Sequence, residues 1–211
     1  MRVSGVLLAA GASTRFGSPK MLAPMGEEKE PLLRRVIGTW RDAGIEELIV
    51  VLGSGASDIR ARFEEDLLRK VNTGDSAAAS VRFVENPAWE AGMFSSVKAG
   101  LHATSARSTH IAISPADIPF LRESSLRTVL SAAASLDSGG LSLAVPTHAG
   151  RRGHPLLIPA ALRARLLSWP DSARLNQIFT EPDVTVHGLE GFDDAILHDV
   201  DRPADLVTKI V

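Results

Sequence analysis

What most constrains this chain lies at its start. A short apolar run, Val3, Val6, Leu7 and Leu8, breaks directly into the small residues Ala9, Ala10 and Gly11. A run this brief is too short for a helix and reads as a strand buried on both faces, as parallel sheets require. The small residues then let the backbone leave the sheet edge with its amides accessible, and Gly11 is expected to be free to take positive φ. Ser13, Thr14, Arg15 and Lys20 add hydroxyls and two cations, and Pro19 opposes a helix, so Arg15 and Lys20 are expected on a loop. Such a loop suits a polyphosphate.

The two common phosphate motifs do not account for it. Phe16 follows the four spacers after Gly11 where the P-loop pattern needs a second glycine, and GxGxxG is absent. Two other readings of residues 8–20 stay open on chemistry alone. One is a plain strand-to-helix turn with a solvated arginine and lysine. The other is a signal peptide over residues 1–13, against which stand a charged region with only Arg2 and an apolar stretch interrupted by Gly5.

With 211 residues, 45% of them hydrophobic, the chain can bury a substantial core and fits one α/β domain. A net charge of -2 gives no bulk electrostatic reason to expect nucleic acid or an anionic membrane as partner. The absence of cysteine excludes disulfides, thiolate catalysis and cysteine-ligated metals. No apolar run approaches the roughly eighteen residues of a membrane span. A cytoplasmic protein is the expectation.

Downstream, strand and helix patterns alternate. Pro31 opens a predicted helix that Gly44 stops, with Leu33, Val36, Ile37 and Trp40 on one face. A strand over 47–52 follows, then a helix over 57–70 with Ile59, Phe63, Leu67 and Leu68 as its apolar face. Residues 72–80 are small and polar and read as a mobile connection. A strand over 81–87 leads to a helix over 89–101, near whose start Gly92, Ser95 and Ser96 suit anions or base edges; an ordinary capped helix is the alternative.

The next strand, over 109–114, places Asp117 just past its carboxyl end, where a carboxylate holds a metal or simply shapes the turn before Pro119. A helix over 122–136 and a strand over 141–146 precede the basic loop Arg151, Arg152, Gly153, His154, suited to an anionic second substrate or equally to a solvated hairpin. Helices over 159–167 and 173–179 and a weak strand over 184–187 lead to Asp199 and Asp201. If extended, these two are expected to face opposite ways, and either fits as the cap of a helix over 203–210. The alternation predicts a three-layer α/β/α fold, its mostly parallel sheet covered on both faces and joined by right-handed crossovers.

Several segments resemble one family. LAAGASTRFGSPKML is similar to LAAGxSxRxGxPKxL, the signature loop of the MobA-like nucleotidyltransferases. ENPAWEAGMFSSVKAGL resembles the segment lying against the nucleotide in the cytidylyltransferase-like branch. SPADIPF resembles LGDxPF, with Ala116 for glycine, and HDVDRPADL resembles DIDTPEDL, with Arg202 for threonine. RRGHP is similar to the family's GRxGHP, whereas SWPDSAR departs from GDxGAR in having Ser172 for glycine while keeping Arg174.

This resemblance implies a Rossmann-like fold of the nucleotide-diphospho-sugar transferase type. It implies a single domain over 1–211, with an NTP-binding half over about 1–120 and an acceptor-side half over about 121–211. The implied reaction is Mg²⁺-dependent transfer of CMP from CTP, with GTP left open, to the phosphate of molybdopterin with release of pyrophosphate. Lys20, Arg15 and Asp117 are then catalytic, and Asp117 and Asp201 bind the metal, Asp201 being favoured over Asp199 because it takes the place of the family's ligand. Leu8, Ala9, Ala10, Gly11, Ser13, Arg15, Lys20, Gly92, Ser95 and Ser96 contact the nucleotide, and Arg152 and His154 the acceptor. A molybdoenzyme is a candidate protein partner. The alternatives are transfer to another phosphorylated acceptor, such as a sugar phosphate, or a non-catalytic chaperone that binds nucleotide or cofactor; intact Lys20, Asp117 and Asp201 argue against the chaperone.

Overall fold

Strand-forming runs and amphipathic runs alternate along the chain, and the computed structural model, which describes residues 1–71, 80–136 and 140–206, turns them into a layered fold. β1 (Val3–Ala9) leads through the loop of residues 10–19 and a 3-10 turn, Lys20–Leu22, into a hairpin of β2 (Pro24–Met25) and β3 (Glu30–Pro31). Then come α1 (Leu32–Asp42), β4 (Glu47–Leu52), α2 (Ala56–Val71) and β5 (Ser80–Glu85). A 3-10 turn, Trp89–Ala91, precedes α3 (Met93–Ala103), β6 (His110–Pro115), α4 (Glu123–Ala132), β7 (Ser142–His148), β8 (Arg151–Arg152) and β9 (Leu156–Pro159). The chain closes with α5 (Arg163–Ser168), a 3-10 helix Leu175–Thr180, β10 (Thr185–Leu189) and two 3-10 turns, Asp194–Leu197 and Pro203–Leu206. Among the described residues, no helix is long and apolar enough to cross a membrane.

The main sheet has the order β10-β7-β9-β6-β1-β4-β5, with β8 paired to β7. It is parallel as expected except for β9, which runs antiparallel to both β6 and β7, and for the β7–β8 hairpin. The reason is local. Ala149 (φ 49) and Gly150 (φ 75) both adopt left-handed backbone, which makes the two-residue turn of a tight hairpin, and too little chain separates β7 from β9 for a parallel crossover.

β1 shows why a central strand reads as continuous apolar sequence. Leu7 packs into the core shared with Trp40 of α1 and Leu126 of α4, while its neighbour Val6 faces the opposite core with Phe94 and Val97 of α3. α1 buries Leu32, Leu33, Val36, Ile37 and Trp40 and stops as expected at Gly44 (φ 88). There the Gly44 and Ile45 amides donate to the Arg41 and Trp40 carbonyls, closing the helix end. At Gly100, α3 lies so near β1 that a Cβ would overlap Val6.

Some boundaries move. α3 starts at Met93 rather than 89 because Gly92, at φ 120, interrupts the run. Residues 173–179 do not form an α-helix: only the 3-10 segment Leu175–Thr180 forms, and Glu181, just before Pro182, is extended, as a residue preceding proline prefers. The expected helix over 203–210 is a 3-10 turn through Leu206. Its remainder, the connection over 72–79 and the side chains of Leu67 and Leu68 lie outside the described residues.

Candidate active site

Parallel strands bring their carboxyl ends to one edge, and there β1 and β6 open into a cleft of about 700 Å³. The loop after β1 forms one wall, from Leu8 to Arg15, with Lys20 at its base. This loop curls around Ser13, whose carbonyl accepts the amides of Phe16 (2.9 Å) and Gly17 (3.2 Å) and whose hydroxyl accepts the Lys20 amide (3.3 Å). The left-handed positions are Ser13 (φ 53) and Gly17 (φ 77), not Gly11. Gly11 is exposed and a Cβ there would meet nothing within 4 Å, so its contribution is open space beside the backbone.

Lys20 was expected on a loop, yet it opens a 3-10 turn and is only 9% exposed. Its Nζ donates to Asp117 Oδ2 at 2.7 Å and lies 3.7 Å from Asp201 Oδ1. Arg15 Nη1 is 2.5 Å from Asp201 Oδ2. Two cations and two carboxylates from three distant stretches of chain thus form one cluster at the cleft floor. The other carboxylate oxygen of Asp117, Oδ1, is buried with no hydrogen-bond partner. A buried carboxylate oxygen without a partner is costly, and Asp117 Oδ1 faces that cost here.

Two hydrogen bonds explain the convergence. The Ala116 amide donates to the Leu8 carbonyl, extending the β1–β6 ladder to the residue before Asp117, and the Val200 amide donates to the Asp117 carbonyl at 2.8 Å. Val200 is fully buried and both of its neighbours, Asp199 and Asp201, line the cleft. The expectation that only one would face it is corrected here: residues two apart on an extended segment share a face. They differ in partners, because only Asp201 reaches Lys20 and Arg15. Nor does either cap the closing turn. Asp205 Oδ2 accepts the amides of Asp201 (3.0 Å) and Arg202 (2.7 Å), and those bonds draw its carboxyl below the usual carboxylate range.

The start of α3 supplies the opposite wall. Ser96 lines the cleft, but Ser95 does not. The Ser95 hydroxyl bonds to the carbonyls of Ala88 and Gly92, and the Asn86 side-chain amide donates to both serine hydroxyls, at 2.8 and 3.0 Å. Trp89 and Met93, not singled out from the sequence, also line the cleft; Met93 is 69% exposed, an anomaly that only the fold reveals. Asn86 was legible only as part of the ENP segment.

A second cavity of about 870 Å³ adjoins the first, and Gly92 lies on it. Arg152 and His154 line both cavities, at the neck between them. β8 places Arg152 there, and the His154 amide donates to the Ile196 carbonyl. Burial pushes the His154 imidazole below the usual histidine range, partly opposed by the negative charges of Asp117 and Asp199. Ser172 and Arg174 border only the second cavity.

The model of the MobA-like NTP transferase domain matches residues 5–186. A nicotine blue oxidoreductase from Paenarthrobacter nicotinovorans is 32% identical over 169 residues, covering 79% of this chain and 75% of that protein. The Rv0371c protein of Mycobacterium tuberculosis H37Rv, also solved in complex with manganese, shares the fold at a TM-score of 0.72, with 24% identity over 97% of this chain and 96% of that one. A nucleotidyl transferase from Methanothermobacter thermautotroptrophicus has a TM-score of 0.72 and 22% identity over 97% of this chain and 94% of that one. The family model spans the loop, both walls of the cleft and the Arg152–His154 neck, so this chain belongs to the MobA-like NTP transferase domain family and is a nucleotidyltransferase.

Proposed function

We propose that the protein transfers CMP from CTP to the phosphate of molybdopterin, releasing pyrophosphate, with Mg²⁺ held by Asp117 and Asp201. The observation that carries this reading is the cluster in which Lys20 sits between Asp117 and Asp201 beside a buried, unpartnered carboxylate oxygen. Carboxylate oxygens suit a hard divalent cation, and the manganese complex of the mycobacterial structure supports a divalent ion in this fold. Asp117 and Asp201 would hold the ion, which would supply charge neutralisation on the α-phosphate.

The chain's own residues do the rest. Leu8 to Ser13 and the Ser13-centred curl wrap the triphosphate, and Gly11 leaves it room. Lys20 and Arg15 exchange their carboxylate partners for phosphate oxygens and stabilise the charge that develops on the leaving pyrophosphate. Ser95 and Ser96 form the nucleoside wall, Ser96 by contact and Ser95 by holding the turn that precedes α3, while Gly92 borders the adjoining cavity. Arg152 and His154 hold the acceptor phosphate in line with the α-phosphorus. An acceptor oxygen forms the new bond to that phosphorus while the α–β bridging bond breaks toward pyrophosphate, and since the acceptor is already an anion no general base is needed.

In this division of labour residues 1–120 bind NTP and the rest of the domain serves the acceptor. Preference for CTP rests on the resemblance to cytidylyltransferases. We place the reaction in the cytoplasm, where nucleotides are made, without a nucleic-acid or membrane partner.

The test is a panel of nucleoside triphosphates with Mg²⁺ and either molybdopterin or sugar phosphates, read by pyrophosphate release. Release dependent on CTP and molybdopterin is the expected result. Bound nucleotide without release for any acceptor overturns the reading in favour of a chaperone, and release with a sugar phosphate alone overturns the acceptor.

A further inference from the structure

The cations around the cleft are not equivalent. Lys20 and Arg15 are already paired with Asp117 and Asp201, whereas no described carboxylate lies within ion-pair distance of Arg152. Arg151 borders only the first cavity and Arg174 only the second, while Arg152 lines both. Its guanidinium lies over the Phe179 ring, Cζ 4.4 Å from the ring centroid. Stacking engages the face of a guanidinium and leaves the N–H groups along its edge free for an anion. The ring is partly buried against the core that contains Ile178.

The second cavity differs in character from the first. Phe94, Val97, Val145, Leu156 and Leu175 line it, and Trp169 backs Phe94 in a stack at 5.7 Å and 28°. Asp171, Ser172, Arg174, Asn176 and Thr180 line it as well, so a flat ring with polar groups at its rim finds both an apolar wall and hydrogen-bond partners there.

We infer that Phe179 is a positioning residue for the acceptor: it holds Arg152 at the neck, so that the site selects a phosphomonoester whose phosphate meets Arg152 and whose body is a flat aromatic ring seated in the second cavity. This rests on the proposed transfer reaction and narrows its acceptor to a chemical class.

NMR titration of the full chain with benzyl phosphate, glucose 1-phosphate, benzyl alcohol and CTP tests it. Benzyl phosphate is expected to bind about tenfold more tightly than glucose 1-phosphate. Phe179→Leu, which keeps apolar bulk but removes the π face, is expected to weaken benzyl phosphate by about threefold to tenfold while leaving benzyl alcohol and CTP within about twofold. Phe179→Tyr restores the affinity, and in an Arg152→Gln background Phe179→Leu has no further effect. An equal loss for benzyl phosphate and benzyl alcohol, or equal or tighter binding of glucose 1-phosphate, overturns the inference. Failure of CTP to bind the unaltered chain overturns the proposed CMP transfer instead, so the two failures are distinct.

Discussion

Lys20 carries two kinds of partner in one position. Its ammonium pairs with Asp117 and Asp201, and the proposed reaction asks it to leave them for phosphate oxygens. Removing it has opposite consequences for the two ligands. Lys20→Met is expected to weaken CTP binding at least about tenfold, the scale of a lost charge-assisted hydrogen bond. The same change frees the aspartates of an internal cation, so Mn²⁺ alone binds more tightly, as measured by electron paramagnetic resonance titration. Unchanged CTP affinity would make the lysine a structural partner of Asp117 only. At this scale the motif residues were legible because their chemistry is unusual for a turn. Ser95 was not, since its hydroxyl looks the same in sequence whether it faces a ligand or a backbone carbonyl.

Among elements, the opposite edge of the sheet is held by a buried glutamate. Glu47 begins β4 and accepts hydrogen bonds from the Ser4 hydroxyl of β1, the Ser105 amide and Arg82 of β5. Burial alone would push its carboxyl up, but these donors hold it below the ordinary glutamate value of 4.5. A depressed folded-state value stabilises the fold above the unfolded value, and that stability is lost as pH falls through the folded one. Glu47→Gln is therefore expected to lower the melting temperature at neutral pH and to flatten its decline between about pH 5 and pH 3. An unaltered pH profile would show that the glutamate does not link these strands. Element types followed from periodicity where helices were long, as in α1, and failed over 175–180, where too few residues precede Pro182 for an α-helical ladder.

For the molecule as a whole, the site depends on the final stretch of chain returning to the edge of β6. Val200 makes that return: its side chain fills the core and its amide holds the Asp117 carbonyl. Val200→Ala is expected to cost about 2 kcal/mol of stability through the cavity it leaves. It should also lower kcat more than the KM for CTP, because Asp201 loses its register against Asp117. Denaturant unfolding and steady-state kinetics check both, and a purely thermodynamic effect would show that Asp201 is held by its ion pairs alone.

By itself the sequence determined the alternation of strands and helices, the hub strand and the loop that follows it, and the identity of Lys20, Arg15, Asp117 and Asp201. The elements, the loop and its two cations follow from local physics, because side-chain period, backbone freedom and residue chemistry act over a few neighbours, whereas Asp117 and Asp201 were singled out by the resemblance to the family's motifs. Only the tertiary structure decided that β9 enters the sheet antiparallel, that Asp199 and Asp201 share the cleft, that Ser95 turns inward, and that Arg152 stands over Phe179 between two cavities of different character. Each of these depends on which distant segments pack together, and strand pairing and burial set that across the whole chain.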